Sequence, residues 1–570
     1  MDPVLALTHT SRRLARRPGW TALVVVTLGL GIAAATAIFS VVDTLVLRPL
    51  PYPDPERLVV LRESSPVSPM VPLTAAVLEH LRGATHSLEA IEAFDPISFH
   101  LAAAEGAERV PGALVSPGFF ELFGGTASAG RLLAAEDART GGGAQPIVLG
   151  HVFWQRRFGG DSDVIGEQLR LSWTAPFGPR RSLGETFVVV GVLAEEFRSP
   201  YGAADVWAPL VLPEPPAYRE ASYLFGFGRL GAGVHLDEAR AELGELLRGL
   251  GPDGLPSTAG PLEALGVTVL PLAEQGVAQV RAALWIVFAA VGLVMLVACA
   301  NVANLLLLRR DERQGELFVR SALGASRGRL AAELALDGAM LGLAAGAAGL
   351  AVAWSAVRWF GNARPGLLPR EHEVVVDGRV ALFAAAAAAV AVLLFAVLPA
   401  LPSGRAAARG SRGVARRDVT ARTRGLLVGL EVALAMLLLV GAGLLTRSFD
   451  ALARTDLGFA IDRLMTFEVA LPPARYPEPA QRAALLRSAV ERLRALPGVR
   501  GAAVASSLPL TPINTATPVT VAGRSTEDGR PGAATYRLVG EGYFETLGIP
   551  VLEGRPFAAG DVVAVWARHA

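Results

Sequence analysis

Cysteine is almost missing from this 570-residue chain, with Cys299 the only one. No disulfide can form within one chain, and no cysteine-based metal site can be assembled. Any large domain must therefore hold together by core packing, which the segment lengths permit. Lysine is missing altogether, since all 53 basic residues are arginine. A nucleotide-binding P-loop, whose phosphate-reaching residue is lysine, is excluded. Net charge is nearly absent too: 53 basic against 52 acidic residues leave +1, which gives no global case for nucleic-acid binding. The eight histidines are scattered, with no H-x-H or H-E-x-x-H pattern, so no metal site is expected.

What the chain has is hydrocarbon. It is 52% apolar with a mean hydropathy of +0.42, high for a soluble protein. A helix needs about 20 apolar residues to cross a bilayer. Five stretches qualify: Trp20–Val42, Ala282–Leu308, Gly338–Val357, Val380–Leu401 and Gly425–Leu445. The first four contain no charge, and the fifth holds Glu431. The triplet Ala35-Thr-Ala37 has the small residues of a signal-peptidase site. The apolar run continues through Ile38-Phe39 and is too long for a signal peptide, so it is read as an uncleaved anchor.

Arginines in short flanks set the orientation. They cluster before the first span (Arg12, Arg13, Arg16, Arg17), between spans two and three, and between spans four and five. Those segments are expected in the cytoplasm, and the large intervening regions outside it. The expected organisation is an interfacial segment at 1–19, spans within 20–47, 281–308, 334–359, 380–402 and 425–446, external domains at 48–280 and 447–570, a coupling segment at 309–333 and a basic linker at 403–424. The segment Val4–Arg17 is apolar on one side and arginine-rich on the other, as in an interfacial helix.

One pattern occurs twice. Val115-Ser-Pro-Gly-Phe-Phe-Glu-Leu-Phe-Gly124, Gly130-Arg131 and Asp137 return at an offset of 424 residues as Val539-Gly-Glu-Gly-Tyr-Phe-Glu-Thr-Leu-Gly548, Gly554-Arg555 and Asp561. The recurrence marks two tandem units, each with an external domain, the second incomplete. Phe119-Phe120 and Tyr543-Phe544 are expected to anchor the two cores. Within 48–280, Thr186–Leu193, Tyr223–Leu230 and Val267–Leu272 read as strands, and Leu236–Leu247 reads as an amphipathic helix. The domain is expected to be α+β, in two lobes.

Two motifs mislead. Gly226-Phe-Gly-Arg-Leu-Gly231 matches G-x-G-x-x-G, but reads as a strand end and a glycine turn, so no dinucleotide cofactor is expected. Gly324-Ala-Ser-Arg-Gly328 matches a nucleophile elbow but follows a helical pattern rather than a strand.

Denser local matches lie at Arg12–Pro18, Ala33–Asp43, Leu47-Arg-Pro-Leu-Pro-Tyr-Pro-Asp-Pro55, Trp154–Asp161, Ala298-Cys-Ala-Asn-Val-Ala-Asn-Leu305, Val319–Gly328 and Val440–Leu445. With the ordering of span, external domain, three spans, then span and external domain, they resemble the MacB/FtsX-type ABC transporter permeases in their duplicated form. The resemblance implies a membrane protein with five α-helical transmembrane spans and α+β extracytoplasmic domains of the MacB-like periplasmic core type, in a bacterial inner membrane with its N-terminus cytoplasmic. It implies a non-enzymatic permease subunit without cofactors that couples a separate cytoplasmic ABC ATPase to movement outside, for export. Membrane lipid, a periplasmic adaptor and a second permease copy are the further partners it suggests; nucleic acid is not one. Full duplicated members have eight spans, so the chain is expected to be truncated at its C-terminus. An FtsX-type envelope regulator and an inactive remnant are the alternatives.

For ATPase coupling the expected residues are Glu316, Arg320, Gly324, Ala325, Ser326 and Arg327. Glu316 and Arg320 share a helix face, and Gly324 would end that helix. For helix packing, Gly338, Gly342 and Gly346 recur every four residues, and Asn301 and Asn304 share a face where amides seek partners. Glu431 is expected to play a structural part.

Overall fold

The computed structural model describes residues 11–557, apart from residues 13, 203, 470 and 477 and segments 65–69, 104–105, 139–142, 175–185, 213–221, 250–265, 313–326, 364–372, 394–413, 472–475, 510–514 and 520–531. The chain divides into two compact units. One joins Met1–Pro49 to Gly276–Thr455, and the other joins Leu50–Gln275 to Asp456–Ala570.

Helix α1 (Pro18–Val42) opens with proline in its first turn, where a missing N–H costs nothing, and continues into a π-helical turn, Asp43–Leu47. The external unit then builds strands β1 (Leu58–Ser64), β2 (Leu73–Thr74), β3 (Leu88–Ala103), β4 (Gly106–Val115), β5 (Ala127–Gly130), β6 (Gln145–Leu149), β7 (Gln168–Thr174), β8 (Thr186–Leu193), β9 (Val206–Pro209), β10 (Ser222–Leu230) and β11 (Gly266–Pro271). Interspersed are α2 (Ala75–Ala84), α3 (Phe119–Leu122), α4 (His151–Phe158) and α5 (Leu236–Gly249). The main strand order is β11-β1-β10-β3-β4-β9-β6-β8-β5, with β2 on β10 and β7 bridging β3 and β8. The strands form one connected sheet.

Two apolar clusters pack against that sheet. One gathers Leu61, Leu81, Phe99, Phe187 and Leu243; Ala239, Leu243 and Leu247 of α5 supply its helical stripe. The other is aromatic. Phe119 packs on Phe94, Phe123, Trp207 and Phe227, while Phe120 packs on Phe197 and Trp207. Such rings bury large areas in offset and edge-on pairs. Gly226 and Gly228 lie inside β10, between β1 and β3, so the G-x-G-x-x-G match is a packed strand rather than a loop. A side chain at Gly226 would run into Leu73 and Leu61.

The membrane unit continues with α6 (Ala278–Glu312), α7 (Arg327–Ala363), α8 (Gly378–Val392) and α9 (Val414–Ala453). Among the described residues four helices are long and apolar enough to cross a bilayer: Pro18–Leu47, Val280–Leu306, Leu336–Phe360 and Val428–Ala453. The described part of the expected span at Val380–Leu401 is α8, Gly378–Val392. Residues 394–413 lie outside the described set.

Helix α1 packs on α6, α7 and α8, and α9 packs on α6. Val24, Leu28, Ile32, Cys299, Val302, Leu341, Ala345 and Ala388 form the shared core. Close approach depends on missing side chains. A Cβ on Gly349 would meet the Gly29 carbonyl at 2.8 Å, and one on Gly31 would meet Ala298 at 3.3 Å.

The second external segment holds α10 (Pro479–Arg494), β12 (Thr515–Val519), β13 (Gly532–Tyr536) and α11 (Tyr543–Leu547). The repeated pattern produces repeated geometry. Gly124 and Gly548 have φ of +69° and +65°, and Gly130 and Gly554 have φ of +67° and +86°. In the first copy Arg131 grips Asp137 with two hydrogen bonds, at 2.5 and 2.9 Å, and Asp137 also accepts from the Ala134 N–H. The Arg131 hydrogen bonds hold the Asp137 carboxyl below its usual range. This explains the fixed spacing from Gly-Arg to Asp; Asp561 lies outside the described residues.

Candidate functional site

Among the described residues of the membrane unit, a polar cluster sits where α1 ends. An acid in an otherwise apolar run, Asp43 begins the π-turn, and the Arg48 N–H closes the wider ring by donating to the Asp43 carbonyl at 2.6 Å. The Asp43 side chain is buried, at 4% exposure. An unpaired carboxylate there would be strongly destabilising. It is paired on both sides: the Arg48 guanidinium lies 2.9 Å from one oxygen, and the Arg379 guanidinium 3.7 Å from the other.

Arg48 also reaches Asp377, 2.5 Å away. Asp377 is the N-cap of α8, and its other oxygen accepts from the Arg379 and Val380 N–H groups at 3.0 and 3.2 Å. Two aspartates and two arginines thus close a neutral network between the ends of α1 and α8, which stand over 300 residues apart in sequence. Burial pulls the Arg48 guanidinium down, but its hydrogen bonds to Asp43 and Asp377 outweigh this and hold it above its ordinary value. Burial raises the Asp377 carboxyl, yet the Val380 N–H and Arg48 bring it below its ordinary value.

Neutral contacts reinforce the network. The Ser40 hydroxyl donates to the Val375 carbonyl at 3.1 Å, and the Thr44 hydroxyl to the Ser40 carbonyl at 2.9 Å. One turn back, Phe39 stacks on Phe383 of α8 at 4.0 Å, and Phe288 of α6 completes the aromatic group. The residues of this cluster were not singled out from sequence. The available signal was Asp43 itself, a charge at the end of a span.

Of the expected coupling residues, Glu316, Arg320, Gly324, Ala325 and Ser326 lie outside the described residues, and Arg327 is the first residue of α7. Gly338 is buried. Gly342 and Gly346 face α8, where a Cβ would collide with Val392 or meet Ala388 at 3.2 Å. Asn304 donates to Glu431 of α9 at 2.8 Å, whereas Asn301 is exposed on the helix surface. Among the described residues no cluster of His, Cys, Asp and Glu is placed to hold a metal ion.

Two family models match the chain in order: the MacB-like periplasmic core domain over residues 21–246, and the FtsX-like permease C-terminal domain over residues 288–408. No curated protein matches its sequence. Solved structures similar to part of it include the following. A permease-protein domain from Porphyromonas gingivalis shares 15% identity over 39% of this chain and 92% of its own, with a TM-score of 0.29. The periplasmic region of MacB from Actinobacillus actinomycetemcomitans shares 12% over 40% and 92%, at 0.28. The extracellular domain of the noncanonic ABC-type transporter YknZ from Gram-positive bacteria shares 15% over 37% and 99%, at 0.27.

Proposed function

The chain belongs to the MacB/FtsX-type ABC transporter permeases, a multi-pass membrane protein with a periplasmic domain, and from that premise we propose that it transmits force. A separate cytoplasmic ABC ATPase, the usual partner of this family, closes on ATP and pushes the span bundle. The bundle moves the external domain, and that movement drives export. In this reading the chain lies in the inner membrane with its N-terminus in the cytoplasm, an orientation that the arginine-rich flanks favour. It supplies no catalytic residue.

The observation that carries this reading is the order of parts on one chain. A periplasmic core domain is followed by the permease helices, and α1 leads into the external domain through the Asp43 network. The proposed ATPase contact is the segment 309–333, through Glu316, Arg320, Gly324, Ala325, Ser326 and Arg327. Its arginines and acids alternate, which suits a protein groove better than a lipid surface, where basic charge alone suffices.

The test follows movement. Spin labels at the exposed positions Val152 and Leu452 report the distance from external domain to span in the full chain, captured with its ATPase in lipid nanodiscs. Force transmission predicts a distance that shifts between the ATP-bound and nucleotide-free states. An unchanged distance during steady ATP hydrolysis would contradict it.

A further inference from the structure

Beyond Arg48 the chain reads Pro49-Leu-Pro-Tyr-Pro-Asp-Pro55, with proline at every second position. Each proline fixes its own φ and restricts its predecessor, so the segment is a stiff strap. Its far end is anchored in the external unit. The Arg229 guanidinium donates to the Pro53 carbonyl at 2.9 Å, and the Tyr52 ring stands edge-on to Phe123 at 5.0 Å. Its near end is Arg48, held by two carboxylates.

A stiff strap delivers displacement only if its root does not yield. The root here is a π-turn, a wider and rarer helical form than the α-helix it extends. Left to itself it would be the softest point of the path. We propose that Asp43, Arg48 and Asp377 form a rigid outer joint that locks the end of α1 to the start of α8, so that bundle movement leaves through the proline strap rather than being lost in the π-turn. Asp43 is the buried hub, Arg48 the clasp, and Asp377 the anchor that also caps α8. The joint's part in transmission rests on the force-transmitting reading; its rigidity does not.

The experiment uses the full chain in nanodiscs and measures amide hydrogen exchange in peptides covering 40–50 and 373–382. A joint makes the two ends protect each other. Arg48→Gln should raise exchange about tenfold at both ends, and Asp377→Asn should do the same although it lies on the other side. Arg48→Lys keeps the charge, and because one guanidinium nitrogen makes both carboxylate contacts it should stay within about threefold of wild type at both ends. If Arg48→Gln loosens only 40–50, or if neither variant changes exchange at the distant end, the joint is overturned. A second readout separates the joint from general stability. With ATP hydrolysis retained, Arg48→Gln should lose the ATP-dependent shift between labels at Val152 and Leu452. A full shift in Arg48→Gln overturns the role in transmission. A wild type that shows no shift contradicts the force-transmitting reading instead, and the exchange experiment still decides the joint.

Discussion

The Asn304 amide on α6 donates to the Glu431 carboxylate on α9 across 2.8 Å, joining two helices inside the membrane unit. Leu426, Val432, Met436, Leu439 and Leu444 of α9 are all exposed. With so little packing, one interhelical hydrogen bond, worth roughly 1–2 kcal/mol in a bilayer, is a large share of what holds α9 on α6. Asn304→Leu should therefore raise amide exchange along the facing turns of α9 about fivefold or more. Glu431→Gln keeps an acceptor and should change it little. Equal exchange in wild type and Asn304→Leu would remove the pair from the account.

The repeated glycines give a graded prediction. Gly130 has a left-handed backbone, and a Cβ there would collide with the Val190 carbonyl and press on Gly191. Gly554 has the same backbone sign but open space around it. Gly130→Ala combines strain with a backbone clash and should cost about 3 kcal/mol or more, while Gly554→Ala should cost about 1 kcal/mol from strain alone. Denaturant unfolding of the full chain, followed by tryptophan fluorescence, orders the two. Trp207 in the aromatic cluster supplies a probe of the first domain.

Glu63 sets a pH dependence. It is buried on β1, and burial pushes its carboxyl from 4.5 up to about 7 even though the Thr74 N–H, 2.6 Å away, favours the charged form. A folded value above the unfolded one means that folding prefers the protonated acid. Stability is then highest below about pH 4.5 with respect to this group. It declines as pH rises towards 7, by up to about 3 kcal/mol. Glu63→Gln should stabilise the external domain by about that amount at pH 8 and leave it unchanged near pH 4.5. Equal stabilisation at both pH values would show that titration is not the cause.

Much of this was legible in the sequence because the signals are local. Leucine spacing gave α5, a short buried apolar run gave β8, alternation gave β10, and long unbroken apolar runs gave α1, α6, α7 and α9. The internal repeat returns as glycine turns of like geometry, and in the first copy the spacing from Gly-Arg to Asp serves an ion pair. What stayed hidden is non-local. Asp43 and Asp377 meet at Arg48 only because α1 and α8 pack side by side. Gly29 and Gly349 look like ordinary membrane glycines until the helices cross there. Of the expected span at Val380–Leu401, α8 forms the described part, and residues 394–401 lie outside the described residues. Within β10 a misreading threatened: G-x-G-x-x-G is a local pattern with a common alternative, and neighbours on both sides make it a strand.

The central claim is that a separate ATPase drives this chain through its cytoplasmic segment. Photo-crosslinking residues placed singly at Glu316 and Arg327, with Val152 as an external control, test it in native membranes. The account predicts that the two cytoplasmic positions capture a polypeptide that hydrolyses ATP, and that Val152 does not. Capture of no ATPase at either Glu316 or Arg327, from a chain that is inserted and folded, would contradict it.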